Sequence, residues 1–130
     1  MEDNGTGVSL SDLQVAVMQV LWNHPGSTTA EVAEALRESR GLAYTTVATL
    51  LTRLEKRGVV ESSRDGRQLQ YAAKLSEAQV KRSMVSGLLS NLFKGSATAL
   101  LSHLLREDEI GPSDIERMRA ILERNGGDDV

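Results

Sequence analysis

The sequence predicts a mostly helical fold with a small β-hairpin, and three observations predict it. Residues 44–74 run helix, glycine stop, strand, charged turn, strand. Ser/Thr-x-x-Glu/Gln capping boxes open helices at residues 11, 28 and 76. Apolar residues recur at helical spacing through both halves of the chain. Together these describe a winged helix-turn-helix over residues 10–74 and a helical region over 75–126. Flexible tails are expected at 1–9 and 127–130.

The first helix opens at Ser11, where Ser11-Asp-Leu-Gln14 forms a capping box and Leu10 can staple onto Val15. Leu13, Val17, Val20 and Leu21 give its apolar stripe, Trp22 closes it, and Asn23-His-Pro-Gly26 stops it. Thr28-Thr-Ala-Glu31 caps a second, short helix with Val32, Ala33, Ala35 and Leu36 facing inward. The third helix, Tyr44 to Arg57, buries Val47, Leu50, Leu51 and Leu54, and Gly58 supplies the left-handed residue that ends it. Strands at Val59 to Ser63 and Gln68 to Ala73 flank Arg64-Asp-Gly-Arg67, a strong hairpin signal. Leu69 and Tyr71 are expected on the side facing the helices.

Three further helices follow. One runs from Ser76 to about Phe93, and the next from Ser96 to about Arg106 after the Gly95-Ser96 break. The last begins with a Ser113-Asp-Ile-Glu116 capping box after Pro112 and ends at Gly126-Gly127.

Composition narrows the function. A hydrophobic share of 40% and a charged share of 25% are those of an ordinary globular chain. No apolar run spans a membrane, the acidic N-terminus is no signal peptide, and the absence of cysteine excludes thiolate metal sites. A cytoplasmic protein without membrane insertion is the economical expectation. His24 and His103 have no spaced ligand partner, and no paired nucleophile and base is present. An enzyme, a metal site or a bound cofactor is therefore not expected.

The net charge of −3 hides its distribution. Residues 1–39 carry net −5 and residues 75–130 net −2, whereas 40–74 hold seven bases against three acids. Screening beyond about 10 Å lets such a basic segment attract phosphate within an acidic protein.

The outward face of the third helix carries Thr45, Ala48, Thr49, Thr52, Arg53 and Lys56, with Tyr44 and Thr46 at its start. Threonine is a mediocre helix former, and four within residues 45–52 make a poor scaffold. They suit a major-groove floor, where a hydroxyl meets a base or phosphate and a methyl meets thymine. Arg53 and Lys56 are placed for phosphates, and Arg64 and Arg67 flank the hairpin tip, within reach of phosphate or minor groove. Double-stranded DNA is the expected partner. A protein-interaction module is the rival, but it would call for an apolar face on this helix.

A winged helix leaves residues 76–130 over. Leu88, Leu92, Phe93, Leu100, Leu104, Ile115, Met118, Ile121 and Leu122 are too few for a good isolated core. A second copy of the chain is the simplest cover, giving a symmetric dimer.

Taken in order, Leu10 to Met18 with Leu21-Trp22, Tyr44-Thr-Thr-Val47 through Thr52-Arg-Leu54, Lys56-Arg-Gly58, Gln70-Tyr71, Phe93-Lys-Gly95 and Ile115 to Leu122 resemble the penicillinase-repressor family of bacterial transcription regulators. The resemblance implies a homodimeric repressor of antibiotic- or stress-response genes that binds inverted repeats with TACA/TGTA-like half-sites. It assigns the reading helix to Thr45, Thr46, Thr49, Thr52 and Arg53, the wing to Arg64 and Arg67, and dimerisation to the C-terminal helices. It also implies a membrane-bound sensor metalloprotease or a downstream protease as a partner. Members released by proteolysis carry an Asn-Phe bond where this chain has His103-Leu104. Copper-responsive members end in a cysteine cluster, which this chain lacks. Position 48 is alanine where staphylococcal-type members have a bulkier basic residue.

Overall fold

A computed structural model describes residues 8–128; of the tails expected at 1–9 and 127–130, residues 1–7 and 129–130 lie outside the described residues. The element order is α1 (Asp12–Asn23), β1 (Ser27–Thr28), α2 (Thr29–Ala35), α3 (Arg37–Arg40), α4 (Tyr44–Lys56), β2 (Val60–Asp65), β3 (Gln68–Ala73), α5 (Glu77–Phe93), α6 (Ala97–Arg106) and α7 (Pro112–Asp128). The chain divides into two compact units, the first ending at Gly87 and the second starting at Leu88.

In the first unit, the capping boxes at Ser11 and Thr28 form as the sequence predicts. Ser11 Oγ accepts from the Gln14 amide at 3.2 Å and Thr28 Oγ1 from the Glu31 amide at 3.1 Å, each answered by the return bond. Such a cap contributes about 1 kcal/mol. The core gathers Val17, Met18 and Leu21 of α1, Val32 of α2, Val47, Leu51 and Leu54 of α4, and Val59 and Val60, all nearly inaccessible. Ala35, expected inside, is exposed, because the short α2 turns Val32, Ala33 and the following Leu36 onto that core.

α4 ends in a Schellman turn. Gly58 sits at φ 78°, its amide donates to Glu55 O at 3.0 Å, and the Val59 amide donates to Leu54 O at 3.0 Å. The turn drops Val59 and Val60 directly into the core and launches β2.

Three features depart from the sequence reading. A one-turn helix, α3, follows α2 and ends at Gly41, whose φ of 63° suits a left-handed cap. The hairpin is one edge of a three-stranded sheet of order β1-β3-β2, because Ser27 and Thr28 pair with Tyr71 and Gln70. The pairing also runs on to Asp65 opposite Gln68, so Arg64 lies in a strand opposite Leu69 and the loop is only Gly66-Arg67. This long hairpin outruns the helices, which leaves Leu69 exposed although Tyr71 is buried.

The composition change after Lys74 is not the boundary of the unit. Val80 and Ser83 are buried and Met84 packs on the core, so the first turns of α5 belong to the first unit. Trp22 Nε1 donates to Leu75 O at 2.9 Å, and Ser83 Oγ donates to Val8 O at 3.0 Å. Val8, expected in a loose tail, is thereby half-buried against the core.

In the second unit, Lys94 and Gly95 both take positive φ to break α5 from α6. Asp108, at φ 60°, closes α6 with amide bonds from Asp108 to Leu105 O and from Glu109 to Leu104 O. The Glu107-Asp-Glu109 charge run thus includes a helix stop. α7 begins at Pro112, one residue before the cap of the expected box, with the Gly111 amide bonded to Asp114 Oδ2 at 3.0 Å. It continues through Gly126-Gly127, which cost helix propensity, about 1 kcal/mol each, but keep every backbone amide available. Among the described residues of this unit, none is buried.

Two stability outcomes follow from the first unit. Leu51→Ala should lower unfolding free energy by about 2–5 kcal/mol with an unchanged denaturant slope, read by urea melts. Burial pushes the Tyr71 phenol pKa up, Glu55 adds to the rise, and the Thr29 side chain partly offsets it. The fold therefore favours the neutral phenol. Stability that is complete below the ordinary tyrosine pKa should fall as pH rises above about 10, and Tyr71→Phe should flatten that alkaline loss.

Candidate nucleic-acid interface

α4 exposes one face because it buries the other. With Val47, Leu50, Leu51 and Leu54 inside, Tyr44, Thr45, Thr46, Thr49, Thr52, Arg53 and Lys56 are exposed and Ala48 is half-buried. The third helix of the sequence is this α4, and the expected face is brought together on it. α1, α2, α5 and α6 each begin with a Ser or Thr oxygen accepting a backbone amide. α4 begins on Ala43, which offers no side-chain cap. The amides of its first turn lack acceptors within the helix and carry the positive end of its dipole.

The threonines divide into two pairs. Thr49 Oγ1 donates to Thr45 O at 3.1 Å and Thr52 Oγ1 donates to Ala48 O at 2.9 Å. Thr45 and Thr46 have no side-chain hydrogen bond among the described residues.

The wing lies in the same unit. Thr28, Thr29, Tyr44, Arg64, Arg67, Gln68 and Leu69 line an open groove of about 300 Å³ with Ala30. Arg64 reaches toward Arg67 O at 3.4 Å across the hairpin tip. Sequence reasoning reached Tyr44 and the two arginines but missed Thr28, Thr29, Gln68 and Leu69. Thr28 reads only as a helix cap, and nothing local shows that β3 passes beside α2.

Charge pairing sharpens the segment count. Among the described residues, ion pairs join Arg37 to Glu34 at 2.8 Å, Arg40 to Asp12, and Lys81 to Glu77 at 3.3 Å. Arg40 belongs to the basic segment but is neutralised by α1. Arg53, Lys56, Arg57, Arg64 and Arg67 have no carboxylate at ion-pair distance among those residues. Glu55, the acid on α4, accepts a hydrogen bond from Ser62 Oγ at 2.6 Å, which holds it at the start of the hairpin.

The residues assigned to dimerisation all fall in the second unit. Phe93, Leu100, Leu104 and Met118 are half-buried, whereas Leu88, Leu92, Ile115, Ile121 and Leu122 are exposed. His103 stands on α6 with its ring edge-on to Phe93, centroids 5.9 Å apart, beside half-buried Leu104.

A helix-turn-helix whose second helix shows hydroxyls, next to a basic hairpin, defines a winged-helix, DNA-binding transcriptional regulator. A model of the penicillinase repressor family matches residues 10–124. The chain belongs to that family, one of transcriptional repressors and not of enzymes. It is 37% identical over 115 residues to the transcriptional regulator BlaI of Mycobacterium tuberculosis, covering 87% of this chain and 82% of the relative. It is 26% identical over 116 residues to the penicillinase repressor of Bacillus licheniformis, covering 89% and 91% of the two. The solution structure of the DNA-binding domain of the repressor BlaI superposes with a TM-score of 0.50 at 31% identity, over 55% of this chain and 87% of that one. No helix of the described residues is long and apolar enough to cross a membrane.

Arg64→Ala should weaken binding to all duplex DNA alike and reduce the slope of log affinity against log salt by about 1. Fluorescence anisotropy over a salt series checks this. A sequence-selective loss with an unchanged slope would contradict a phosphate role.

Proposed function

We propose that this repressor binds an inverted-repeat operator as a homodimer, each protomer reading a TACA/TGTA-like half-site through α4. The outward hydroxyl face of α4 carries this reading, because only short side chains there let a helix sink to the base edges. Thr45, Thr46, Thr49, Thr52 and Arg53 take the reading positions, Lys56 the backbone beyond them, and Arg64 and Arg67 the flanking phosphates. The groove beside Tyr44 supports the wing assignment, since it offers guanidinium and hydroxyl donors to one phosphate.

The unburied second unit supports the dimer. Leu92 and Leu122 are each 70% exposed, and Leu101, Leu105 and Ile121 more than two-fifths exposed. Apolar surface of this extent on a unit without a buried residue among those described calls for a partner, and a second copy supplies a self-complementary one. Two readers then face half-sites about one helical turn apart.

Release through a membrane-bound sensor metalloprotease, or a protease it activates, is the control the family likeness brings. The His103–Leu104 bond lies inside α6, so its cleavage would require that helix to open first.

Footprinting on the chain's own promoter should protect a two-fold symmetric site. Thr45→Ala should lower specific affinity by roughly 1–3 kcal/mol per lost base contact and leave random-DNA binding unchanged. Equal losses on both DNAs would count against base reading. Leu92→Asp should convert the sedimenting dimer into a monomer with much weaker operator binding. A wild type that sediments as a monomer at micromolar concentration overturns the dimer.

A further inference from the structure

The four threonines of α4 share a chemistry but not a bonding state. We propose that Thr49 and Thr52 recognise thymine through their γ-methyl groups, while the hydroxyls of Thr45 and Thr46 do the hydrogen bonding. The inference rests on α4 reading the major groove and assigns which atoms read it.

The observation is the pair of back-bonds. Thr49 Oγ1 gives its proton to Thr45 O at 3.1 Å, and Thr52 Oγ1 gives its proton to Ala48 O at 2.9 Å. Each hydroxyl has one hydrogen. Donation to thymine O4, guanine O6 or a purine N7 would first break a bond already made. The bond also turns each oxygen toward the helix backbone, while the methyl on the same β-carbon remains on an exposed residue.

Position 52 neighbours both 49 and 48 on the helix surface, at separations of three and four residues. The Ala48 methyl therefore extends the strip formed by the two threonine methyls. The C5-methyl of thymine is the apolar group that the major groove offers to such a strip. Thr45 and Thr46 precede it by one turn, and their hydroxyls, without a side-chain partner among the described residues, can donate or accept without rearrangement. The first turn thus reads polar edges, and the second reads methyls.

The test uses the full-length protein and the duplex that it selects from a random pool, with titrations by fluorescence anisotropy. Thr49→Val with Thr52→Val keeps both methyls and removes both hydroxyls. Thr49→Ser with Thr52→Ser does the reverse. The valine pair should bind within about twofold of wild type, and the serine pair roughly tenfold more weakly, at a few-fold per buried methyl. The same duplex with deoxyuridine for each thymine lacks only the C5-methyls. It should weaken wild type by a similar factor and the serine pair little further. Thermal melts by circular dichroism check that both pairs fold.

Strong loss in the valine pair with wild-type binding in the serine pair would overturn the proposal and leave the DNA-reading function standing. Equal binding of wild type to the thymine and deoxyuridine duplexes would do the same. A wild type that selects no sequence would overturn the function, and this assignment with it.

Discussion

Burial of one stripe of α4 is the constraint on which the functional surface depends. Val47, Leu50, Leu51 and Leu54 recur at helical spacing, and three of the four are almost wholly removed from water. Turning that stripe outward would expose four branched aliphatic side chains, at about 1.5–3 kcal/mol each. The helix therefore has one rotational setting, and the threonines face outward by default. The Schellman turn at Gly58 transmits this setting to the hairpin, since Val59 and Val60 continue the same core.

The face so presented is kept available by what surrounds it. Two of the first unit's basic residues, Arg37 and Arg40, are engaged by Glu34 and Asp12, neither of them on α4. Glu55 is held by Ser62 at the foot of the hairpin. The missing cap at Ala43 leaves amide donors that a Ser or Thr oxygen takes up at the starts of α1, α2, α5 and α6. A chain of net charge −3 can in this way present a local cationic, hydrogen-bonding surface.

The second unit follows a different economy. Its helices are well punctuated, by Lys94-Gly95 and by Asp108, yet they enclose no core among the described residues. Local rules suffice to form these helices, while their apolar faces await a surface to complete them. The first unit thus has a core of its own, gathered from α1, α2, α4, the hairpin and the first turns of α5.

Helix caps, the α4 stripe and the strand pair were legible in the sequence because each is a local device: a side chain meeting an amide three residues on, or a repeat of three and four. The family resemblance was legible for the same reason, in ordered short motifs. Contacts between distant segments were not. That Ser27-Thr28 would pair with β3, that Val8 would meet Ser83, and that Trp22 would bond Leu75 O depends on backbone groups that look alike everywhere along the chain. Leu69 and Ala35 were misplaced because periodicity tells which side a residue takes, not where the opposing layer ends. The sequence by itself determined the elements, the hydroxyl-bearing outward face of α4 and its residue types. Only the tertiary structure decided which arginines remained unpaired and that the wing shares a groove with α2, because both depend on what a third segment brings within a few ångströms.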